Sequence, residues 1–542
     1  SDLGNDSSGN GNDFTSSGLT AADSVLDSPT SNHCTLNPLI TPATMTLTDG
    51  NLALSGYAGV SSAYGTFGLS SGKWFWQMVA QTNAMAGIAA TPNGSQYPGQ
   101  AADSYAMDLT NGQKYNNGSA TTYGSGEISA GDVIGVAFDA DGGTLKFFDS
   151  DGNDIGTAFS SLTSGPYFPV FRNGNSANIS INFGQTGAFT FTPSGYNSLT
   201  VLNFADPTIP DPSAHFQTTL YTGNGSTQSI TQSGNSQFQP DWVWGKGRST
   251  AESHALFDAV RGTTKIIYSN LTNAEATNSG VTAFNSDGFS IGSSASLNNN
   301  TETYAAWQWK ANGSGSSNSD GSVSSTVSVN QTAGFSIVKW VHTTSANYTV
   351  GHGLGAVPKM VWVKTLDQGT NWGVFHSDIT LGNRLILNST GAQTTGYWGA
   401  NTFNSTVFSI GSARDANSSN AIGYVFAEVE GYSKISSYVG NGSTDGTFVF
   451  TGFKPAWVLL KRTNATQEWQ IYDNQRDPFN VANHKLEPNS NSVESILTTD
   501  NNLDFLSNGF KLRQGNGGMN ASGSNYIYMA FAESPFKTST AR

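Results

Sequence analysis

Four acidic residues could in principle hydrolyse a glycosidic bond. Such cleavage requires two carboxyl groups about 5 to 10 Å apart. The candidates fall in two similar stretches of the chain: Glu252 with Asp258, and Asp473 with Asp477. A third similar stretch has His376 and Asp378 at the corresponding place, so no carboxylate pair is common to all three. We interpret the acids as turn residues or ion-pair partners of Arg261 and Arg476, and predict that no residue is catalytic.

Other nucleophile and metal signatures are weak. Residues 68–72 (Gly-Leu-Ser-Ser-Gly) fit a hydrolase pattern that requires a strand before it and a helix after it. A strand pattern follows instead, which favours a turn. None of the seven histidines has the spacing of a zinc site. Cys34 is the only cysteine, which excludes an intrachain disulfide and a cysteine-cluster zinc site.

Closely spaced aspartates in one predicted hairpin are the candidate metal ligands. They are Asp139, Asp141, Asp149 and Asp151, with Asp154 close by. Carboxylates at alternate positions can bind Ca²⁺, which is the only cofactor that the sequence suggests. The segment lacks the distal glutamate of an EF-hand, and Asp-Gly turns explain most of the pattern.

Aromatic residues are the candidate ligand contacts. The chain has 12 Trp and 19 Tyr, and sugar rings stack on such side chains. Tyr397 and Trp398 lie between glycines, outside any strand pattern. We therefore predict that this pair forms an exposed binding site. The alternative is that both are tucked against the protein.

Composition limits the class of protein. The chain has 542 residues, which predicts several domains. Only 11% of the residues are charged and the net charge is −14, so the surface is polar through hydroxyl and amide groups. Such a surface is typical of extracellular β-proteins. No basic stripe indicates nucleic-acid binding, and no apolar run is long enough to span a membrane.

Strand patterns dominate the chain and helix patterns are nearly absent. Short runs of β-branched and aromatic residues, such as residues 74–79 and 133–138, alternate with Asp-Gly and Asn-Gly turns. We predict an all-β fold of tandem β-sandwich domains. The predicted segments are a joining segment (1–34), a sandwich (35–204), a proline-rich linker (205–214), repeat 1 (215–312), a Gly/Ser segment (313–332), repeat 2 (333–431) and repeat 3 (432–542). The Gly/Ser segment is a flexible linker or a low-complexity strand.

Four landmarks recur in the same order in the three repeats. They are residues 240–246, 358–364 and 455–461; then 256–258, 374–376 and 471–473; then 287–291, 406–410 and 508–512; and finally 304–307, 424–428 and 528–533. The first begins with proline and ends with lysine, and indicates a strand with one buried face. We predict that Pro240, Pro358 and Pro455 begin equivalent strands of three similar sandwiches.

Residues 35–191 resemble a SPRY domain, which is a β-sandwich binding module. The matching pieces are residues 71–76 (Ser-Gly-Lys-Trp-Phe-Trp), 131–139, 143–148 and 181–184 (Ile-Asn-Phe-Gly). Gln77 stands where the family usually has glutamate, and we expect it on the strand surface. The resemblance implies binding of partners through loops and no enzymatic activity.

The opening segment and the three repeats resemble structural proteins of tailed bacteriophages, on residues 3–14, 429–434 and 505–512 among others. This resemblance implies a virion-surface, extracellular protein, either a tail fibre or a surface fibre that attaches to the host. Expected partners are other virion proteins and a host glycan or protein. A glycan-degrading tailspike, a capsid decoration protein and a secreted bacterial adhesin are the alternatives. Without disulfides, three small sandwiches would gain stability from contacts between chains, so we expect a homotrimer.

Overall fold

The computed structural model describes residues 4–6, 8–15, 17, 31–56, 59–124, 128–163, 165–174, 178–345, 347–400, 402–411, 418–497 and 499–539. The chain forms two compact units, Ser1–Ala205 and Asp206–Arg542. Most of the predicted joining segment 1–34 lies outside the described residues. Within the described ranges, no helix is long and apolar enough to cross a membrane.

The N-terminal unit is a sandwich of two antiparallel sheets. Its strands are β1 (Thr46–Thr48), β2 (Ala53–Ser55), β3 (Ala63–Tyr64), β4 (Lys73–Val79), β5 (Met85–Ala89), β6 (Ser104–Asp108), β7 (Gln113–Asn116), β8 (Ser119–Thr122), β9 (Val133–Asp139), β10 (Thr144–Phe148), β11 (Asp154–Phe159), β12 (Phe168–Arg172) and β13 (Ile179–Asn182). One sheet has the order β1-β2-β13-β4-β9-β10-β11, and the other has the order β3-β12-β5-β6-β7-β8. A 3₁₀ turn, Val201–Asn203, follows.

Both faces of the longer sheet are covered. Phe75 packs with Phe148 on the outer face, beneath Phe189 and Phe191. Gln77 lies on that same face because side chains alternate along a strand. Its amide donates to Thr190 Oγ1 (2.7 Å) and accepts from the Thr190 N–H (3.0 Å). The expectation that Gln77 lies on the strand surface is therefore wrong, because residues 189–191 cross over it.

The C-terminal unit contains the three repeats. Repeat 1 has β14 (Phe216–Thr222), β15 (Gln228–Thr231), β16 (Trp242–Gly247), β17 (Ala255–Asp258), β18 (Lys265–Tyr268), β19 (Ala276–Thr277), β20 (Val281–Asn285), β21 (Gly288–Ile291), α1 (Ala295–Asn298) and β22 (Thr303–Trp309). Repeat 2, with the segment before it, has β23 (Ser316–Asn318), β24 (Ser325–Asn330), β25 (Phe335–Val341), β26 (Tyr348–Gly351), β27 (Met360–Thr365), β28 (Gly373–His376), β29 (Asn383–Arg384), β30 (Thr394–Thr395), β31 (Val407–Ile410) and β32 (Asn420–Phe426). Repeat 3 has β33 (Ser433–Val439), β34 (Phe448–Phe450), β35 (Phe453–Arg462), β36 (Gln470–Asp473), β37 (His484–Lys485), β38 (Ser495–Ile496), β39 (Leu503–Leu506), β40 (Gly509–Leu512) and β41 (Asn525–Pro535). Two 3₁₀ turns, Pro212–Ala214 and Phe536–Thr538, flank the repeats.

The three repeats have the same inner sheet. Its shared strand order is β14-β22-β16-β17 in repeat 1, β25-β32-β27-β28 in repeat 2 and β33-β41-β35-β36 in repeat 3. The register agrees as well, because Trp242 pairs with Trp309, Met360 with Phe426 and Trp457 with Phe531. Pro240, Pro358 and Pro455 precede the first member of each pair by the same spacing. Their predicted equivalence is confirmed.

Both faces of each landmark strand are buried, so the prediction of one buried face is wrong. In β16, Trp242 and Trp244 point into a core that all three repeats share, which also holds Trp362 and Trp457. Val243 points the opposite way, into the separate outer core of repeat 1. The outer cores of repeats 2 and 3 are distinct clusters. The repeats are thus parts of one body around a common aromatic core, rather than three sandwiches joined by linkers.

The predicted linkers belong to this body. Of the two alternatives for residues 313–332, the strand is what the structure contains: β24 pairs with β25, and β23 extends the sheet. In the proline-rich segment 205–214, Ile209 is buried in the shared core. Neither segment is a free connector between folded parts.

The repeats contact one another in a closed cycle. In each contact, a backbone N–H of one repeat donates to a backbone carbonyl of the next repeat. The accepting residue lies two positions after the lysine that ends the first landmark. The three bonds run from Glu275 to Leu366 (2.7 Å), from Gln393 to Thr463 (3.0 Å) and from Glu494 to Arg248 (2.9 Å). The third bond joins repeat 3 to repeat 1, so the chain closes a pseudo-threefold ring.

Candidate binding surfaces

The first acid pair lies at a contact between repeats. Asp258 Oδ2 accepts from Arg261 Nε (2.5 Å) and from the Tyr424 hydroxyl of repeat 2 (2.8 Å). Both members of the ion pair are buried. Burial lowers the pKa of Arg261, but the adjacent Asp258 carboxylate outweighs burial and the pKa is raised. The carboxylate therefore has no free face for a substrate.

The third repeat has the same arrangement. Asp473 Oδ2 accepts from Arg476 Nε (2.6 Å) and from Trp307 Nε1 of repeat 1 (3.0 Å). Asp477 accepts from the backbone N–H groups of residues 483 and 484, and its Oδ1 lies 2.5 Å from His484 Nδ1. The predicted ion pairs with Arg261 and Arg476 are confirmed. Both pairs are buried, so Asp258 and Asp473 are not solvated turn residues.

In repeat 2, uncharged side chains occupy the places of the ion pair. His376 stands in the place of Asp258, and Ile379 in the place of Arg261. The strand facing it is β41, where Met529 occupies the place of Tyr424 and has no donor. Burial lowers the pKa of His376 to about 4, so the ring is neutral at pH 7. The contact between repeats 2 and 3 thus lacks both the carboxylate acceptor and the side-chain donor that the other two contacts have.

The aspartate hairpin binds its own backbone. Asp139 pairs with Lys73 (2.9 Å) and accepts from the Gly142 N–H (2.7 Å). Asp141 accepts from the Gly72 N–H, and Asp149 accepts from the N–H groups of residues 151 and 153. Nowhere in the described ranges do three His, Cys, Asp or Glu side chains converge as metal ligands. The structure therefore does not bring Asp139, Asp141, Asp149 and Asp151 together as Ca²⁺ ligands, and the carboxylates of the first three make turn and strand contacts.

Tyr397 and Trp398 are buried in the outer core of repeat 2, with exposed fractions of 2% and 1%. Trp398 packs against Phe375 and Phe403, with ring centroids 5.8 and 5.7 Å away. The guanidinium of Arg384 lies 4.9 Å from the centre of the Tyr397 ring. The exposure on which the predicted contact site depended is absent, and the tucked alternative describes both residues.

The predicted turn at residues 68–72 is confirmed. Gly72, with φ of +85°, precedes β4, and the Trp74 indole N–H donates to the Ser71 carbonyl (2.6 Å). A positive φ of this size favours glycine. The segment is the entry to a strand and lacks the helix that a nucleophile elbow requires.

A groove of about 260 Å³ lies where repeat 3 meets repeat 1. Most of its lining side chains are amides and hydroxyls. The residues are Asp211, Ser213, Phe216, Gln217, Thr218, Ser233, Gly234, Asn235, Ala456, Asn474, Gln475, Ala532 and Glu533. Asn235 and Gln475 are exposed, whereas Phe216 is buried. The groove presents hydrogen-bonding groups beside the edge strand β14.

A second polar pocket, of about 540 Å³, lies at the junction of repeats 1 and 2. Its lining residues are His215, Lys310, Ala311, Asn312, Val329, Asn330 and Gln331. His215 Nδ1 lies 2.9 Å from Asn330 Nδ2. Burial and the nearby Lys310 lower the pKa of His215. Among the described residues, no acceptor binds the Lys310 ammonium, so the pocket offers a cation and amide groups.

The sequence alone did not indicate either site. Both are formed where residues from different repeats meet, and no linear spacing encodes that contact. The proline-rich segment 205–214 was a partial signal, since Asp211 at its end lines the groove.

Two family models match the chain. One, described as SPRY domain, matches residues 73–186, and the other, described as Domain of unknown function (DUF7483), matches residues 211–535. No curated protein matches the chain. The N-terminal unit thus has a SPRY-like fold.

Solved structures similar to this chain include SPRY domains. The TRIM65 PSpry domain is 14% identical, with 28% of this chain and 92% of that chain covered and a TM-score of 0.25. The SPRY domain of human HERC1 is 19% identical, with 27% and 96% covered and a TM-score of 0.24. Stonustoxin is 19% identical, with 32% and 30% covered and a TM-score of 0.23. Because the model of the domain of unknown function spans more than half of the chain and includes all three repeats, the chain belongs to the DUF7483 family.

Proposed function

We propose that this chain is a structural protein of a tailed-phage virion that attaches the particle to a host cell by binding, without catalysis. The expected partners are other virion proteins and a host-surface glycan or protein. The site of action is the outer surface of the particle. The proposal joins the resemblance of the repeats to phage proteins with the chemistry of the ring.

The proposal rests mainly on the contacts that the buried carboxylates of Asp258 and Asp473 make. A glycosidase needs a carboxylate with a face open to substrate and a second one nearby. Asp258 and Asp473 are each closed in by an arginine, by a donor from the adjoining repeat and by backbone N–H groups. These acids hold the ring together, which supports a binding role for the chain.

The surface supports the same role. With 11% charged residues, the chain presents mainly hydroxyl and amide groups. The polar groove at β14 and the pocket at Lys310 are lined by such groups, which can hydrogen-bond sugar hydroxyls. SPRY-like modules bind partners through loops, so the N-terminal unit adds a second binding element to the same chain.

The homotrimer stays a prediction, but its physical basis has changed. The lateral burial that we expected between chains takes place within one chain, because the three repeats share a core. A trimer would thus depend on surfaces outside the aromatic core of the ring. Sedimentation of the recombinant chain at micromolar concentration measures the oligomeric state directly.

Gold-labelled antibody against the chain tests the proposed location. Negative-stain images of the source particles should show label on the tail or on surface fibres. The matched control uses the same antibody after absorption with the purified chain, which should remove the label. Label confined to the host cell, with none on particles, would contradict the virion role and favour an adhesin.

A further inference from the structure

We propose that the outer edge of β14 receives an extended strand from a partner polypeptide. This inference goes beyond the attachment role and does not depend on it. It starts from the symmetry of the ring. Phe216, Phe335 and Ser433 begin β14, β25 and β33, and each pairs with the equivalent residue of its sheet: Trp309, Phe426 and Phe531. The three strands therefore have equivalent outer edges.

In repeat 2, the chain itself covers this edge. Strand β24 lies antiparallel to β25, with Ser328 opposite Ile337 and Thr326 opposite Lys339. Strand β23 then pairs with β24 and extends the sheet. These two strands come from the Gly/Ser segment, which has no counterpart in repeats 1 and 3. The fold therefore accepts an added strand at this place.

In repeat 1, no strand of the described residues pairs with the same edge. The bonds from Lys310 N–H to His215 O (3.0 Å) and from Gly223 N–H to Glu302 O (2.8 Å) fix which residues point toward β22. Because bonding alternates along an antiparallel strand, the backbone groups of Thr218 and Leu220 point outward. No backbone group in the described ranges binds them. They are the counterparts of Ile337 and Lys339, which bind β24.

The edge of repeat 3 is protected. The Ile435 N–H, at the place of Thr218, donates to the Glu428 carboxylate (3.4 Å), and Lys434 pairs with Glu428 (2.5 Å). Charged side chains at an edge discourage strand addition. Strand β14, Phe-Gln-Thr-Thr-Leu-Tyr-Thr, has no charged residue. Of the two edges that the described part of the chain leaves uncovered by a strand, β14 is the one suited to a partner.

The chemistry of the groove indicates the occupant. The groove of about 260 Å³ runs beside Phe216–Thr218 and is lined mainly by polar groups. The Thr218 hydroxyl is buried there, and no residue that the structure describes forms a hydrogen bond with it. A strand that alternates hydroxyl and β-branched side chains fits this setting, as Ser325–Asn330 (Ser-Thr-Val-Ser-Val-Asn) does on β25. The partner is therefore an extended segment of this type.

The probe is a fluorescent peptide with the sequence of residues 323–331, titrated with the full chain and followed by anisotropy. We expect saturable binding. A peptide N-methylated at the position of Ser328 lacks the N–H that pairs with the edge and should bind at least tenfold more weakly. Leu220→Pro removes an outward donor, which an edge strand tolerates, and should weaken binding by the same factor. Ser437→Pro, the matched change at the protected edge of repeat 3, should bind as the wild type does.

Absence of saturable binding, or equal binding of the methylated peptide, would overturn the proposal. Loss of binding in Ser437→Pro but not in Leu220→Pro would do the same. Self-association of the chain that Leu220→Pro abolishes would assign the edge to a second copy rather than to a partner. The methylated peptide uses the unmodified protein, so the test holds even if a proline variant fails to fold.

Discussion

Arg476→Leu is the substitution that most directly probes the contact between repeats 3 and 1. The Arg476 side chain is fully buried, and its Nε lies 2.6 Å from Asp473 Oδ2. Its other nitrogens donate to the carbonyls of His484 (2.9 Å) and Ile471 (3.0 Å) and to Glu494 (3.1 Å). In Arg476→Leu the Trp307 N–H and the backbone N–H groups of residues 475 and 476 still donate to Asp473, but none of them carries a charge. The variant therefore leaves the Asp473 carboxylate buried without a counter-charge.

Removing one partner of a buried ion pair costs about 3 to 5 kcal/mol. The C-terminal unit has about 340 residues, and unfolding entropy is about 2 cal/mol/K per residue. The melting temperature should then fall by about 4 to 7 °C. Differential scanning calorimetry measures this, and tryptophan fluorescence identifies the transition because most of the tryptophans lie in this unit.

Two further variants make the test specific. The double variant Asp473→Asn/Arg476→Leu removes the buried charge as well, and should be more stable than Arg476→Leu alone. Asp206→Asn breaks the exposed pair with Lys537 in the same unit and should leave the melting temperature unchanged. If Arg476→Leu melts within 1 °C of the wild type, the ion pair does not stabilise the ring and the reasoning fails.

Three other predictions concern single side chains of the ring. Trp307→Phe removes the donor to Asp473 across the contact between repeats 3 and 1, and should lower the free energy of unfolding in urea by about 2 kcal/mol; an unchanged midpoint would contradict this. Trp398→Ala should cost about 3 to 5 kcal/mol, as expected for a core aromatic, and leave glycan titrations unchanged; weaker glycan binding at full stability would restore the original prediction for Trp398. Because burial lowers the pKa of His376 to about 4, the unfolded chain, with the ordinary value of 6.5, binds more protons between these pH values. Stability should then fall by up to about 3 kcal/mol as the pH drops through that window, and His376→Gln should remove this part of the loss; an identical pH profile would refute the assignment.

The repeats could be predicted because their landmarks are local. The spacing from Pro240 to Lys246 recurs unchanged, and each copy forms the same strand in the same register. The closed ring could not be predicted in this way. Trp242 and Val243 are adjacent apolar residues on opposite faces of the strand, but nothing in their sequence indicates that the Trp242 face meets the other repeats. That information lies in contacts between residues far apart in the sequence.

The binding residues were misjudged for a physical reason. Glycines beside Trp398 indicated an exposed loop. In the structure Gly399 instead lets two backbone segments approach closely, since a Cβ atom on Gly399 would lie 2.9 Å from the Gly411 Cα. Tyr397 adopts a φ of +98°, which is uncommon for a residue other than glycine. The glycines therefore allow close packing of the backbone, and the rings of Tyr397 and Trp398 lie in the outer core of repeat 2.

The strands within residues 313–332 had a detectable signal. Val327 and Val329 alternate with serine and threonine, which is a strand pattern, while the overall Gly/Ser content is typical of linkers. The structure shows that the alternation decides the local conformation. The neighbouring edge of β25 supplies the hydrogen bonds that the segment lacks by itself.

Incubation of the purified chain with polysaccharide extracted from the host surface tests the central claim, that the chain binds and does not cleave. The account predicts saturable retention of the chain on the polysaccharide and no increase in reducing ends over time. New reducing ends that appear with the wild type and disappear with Asp258→Asn, while the variant still binds, would contradict it and identify the chain as a glycan-degrading spike.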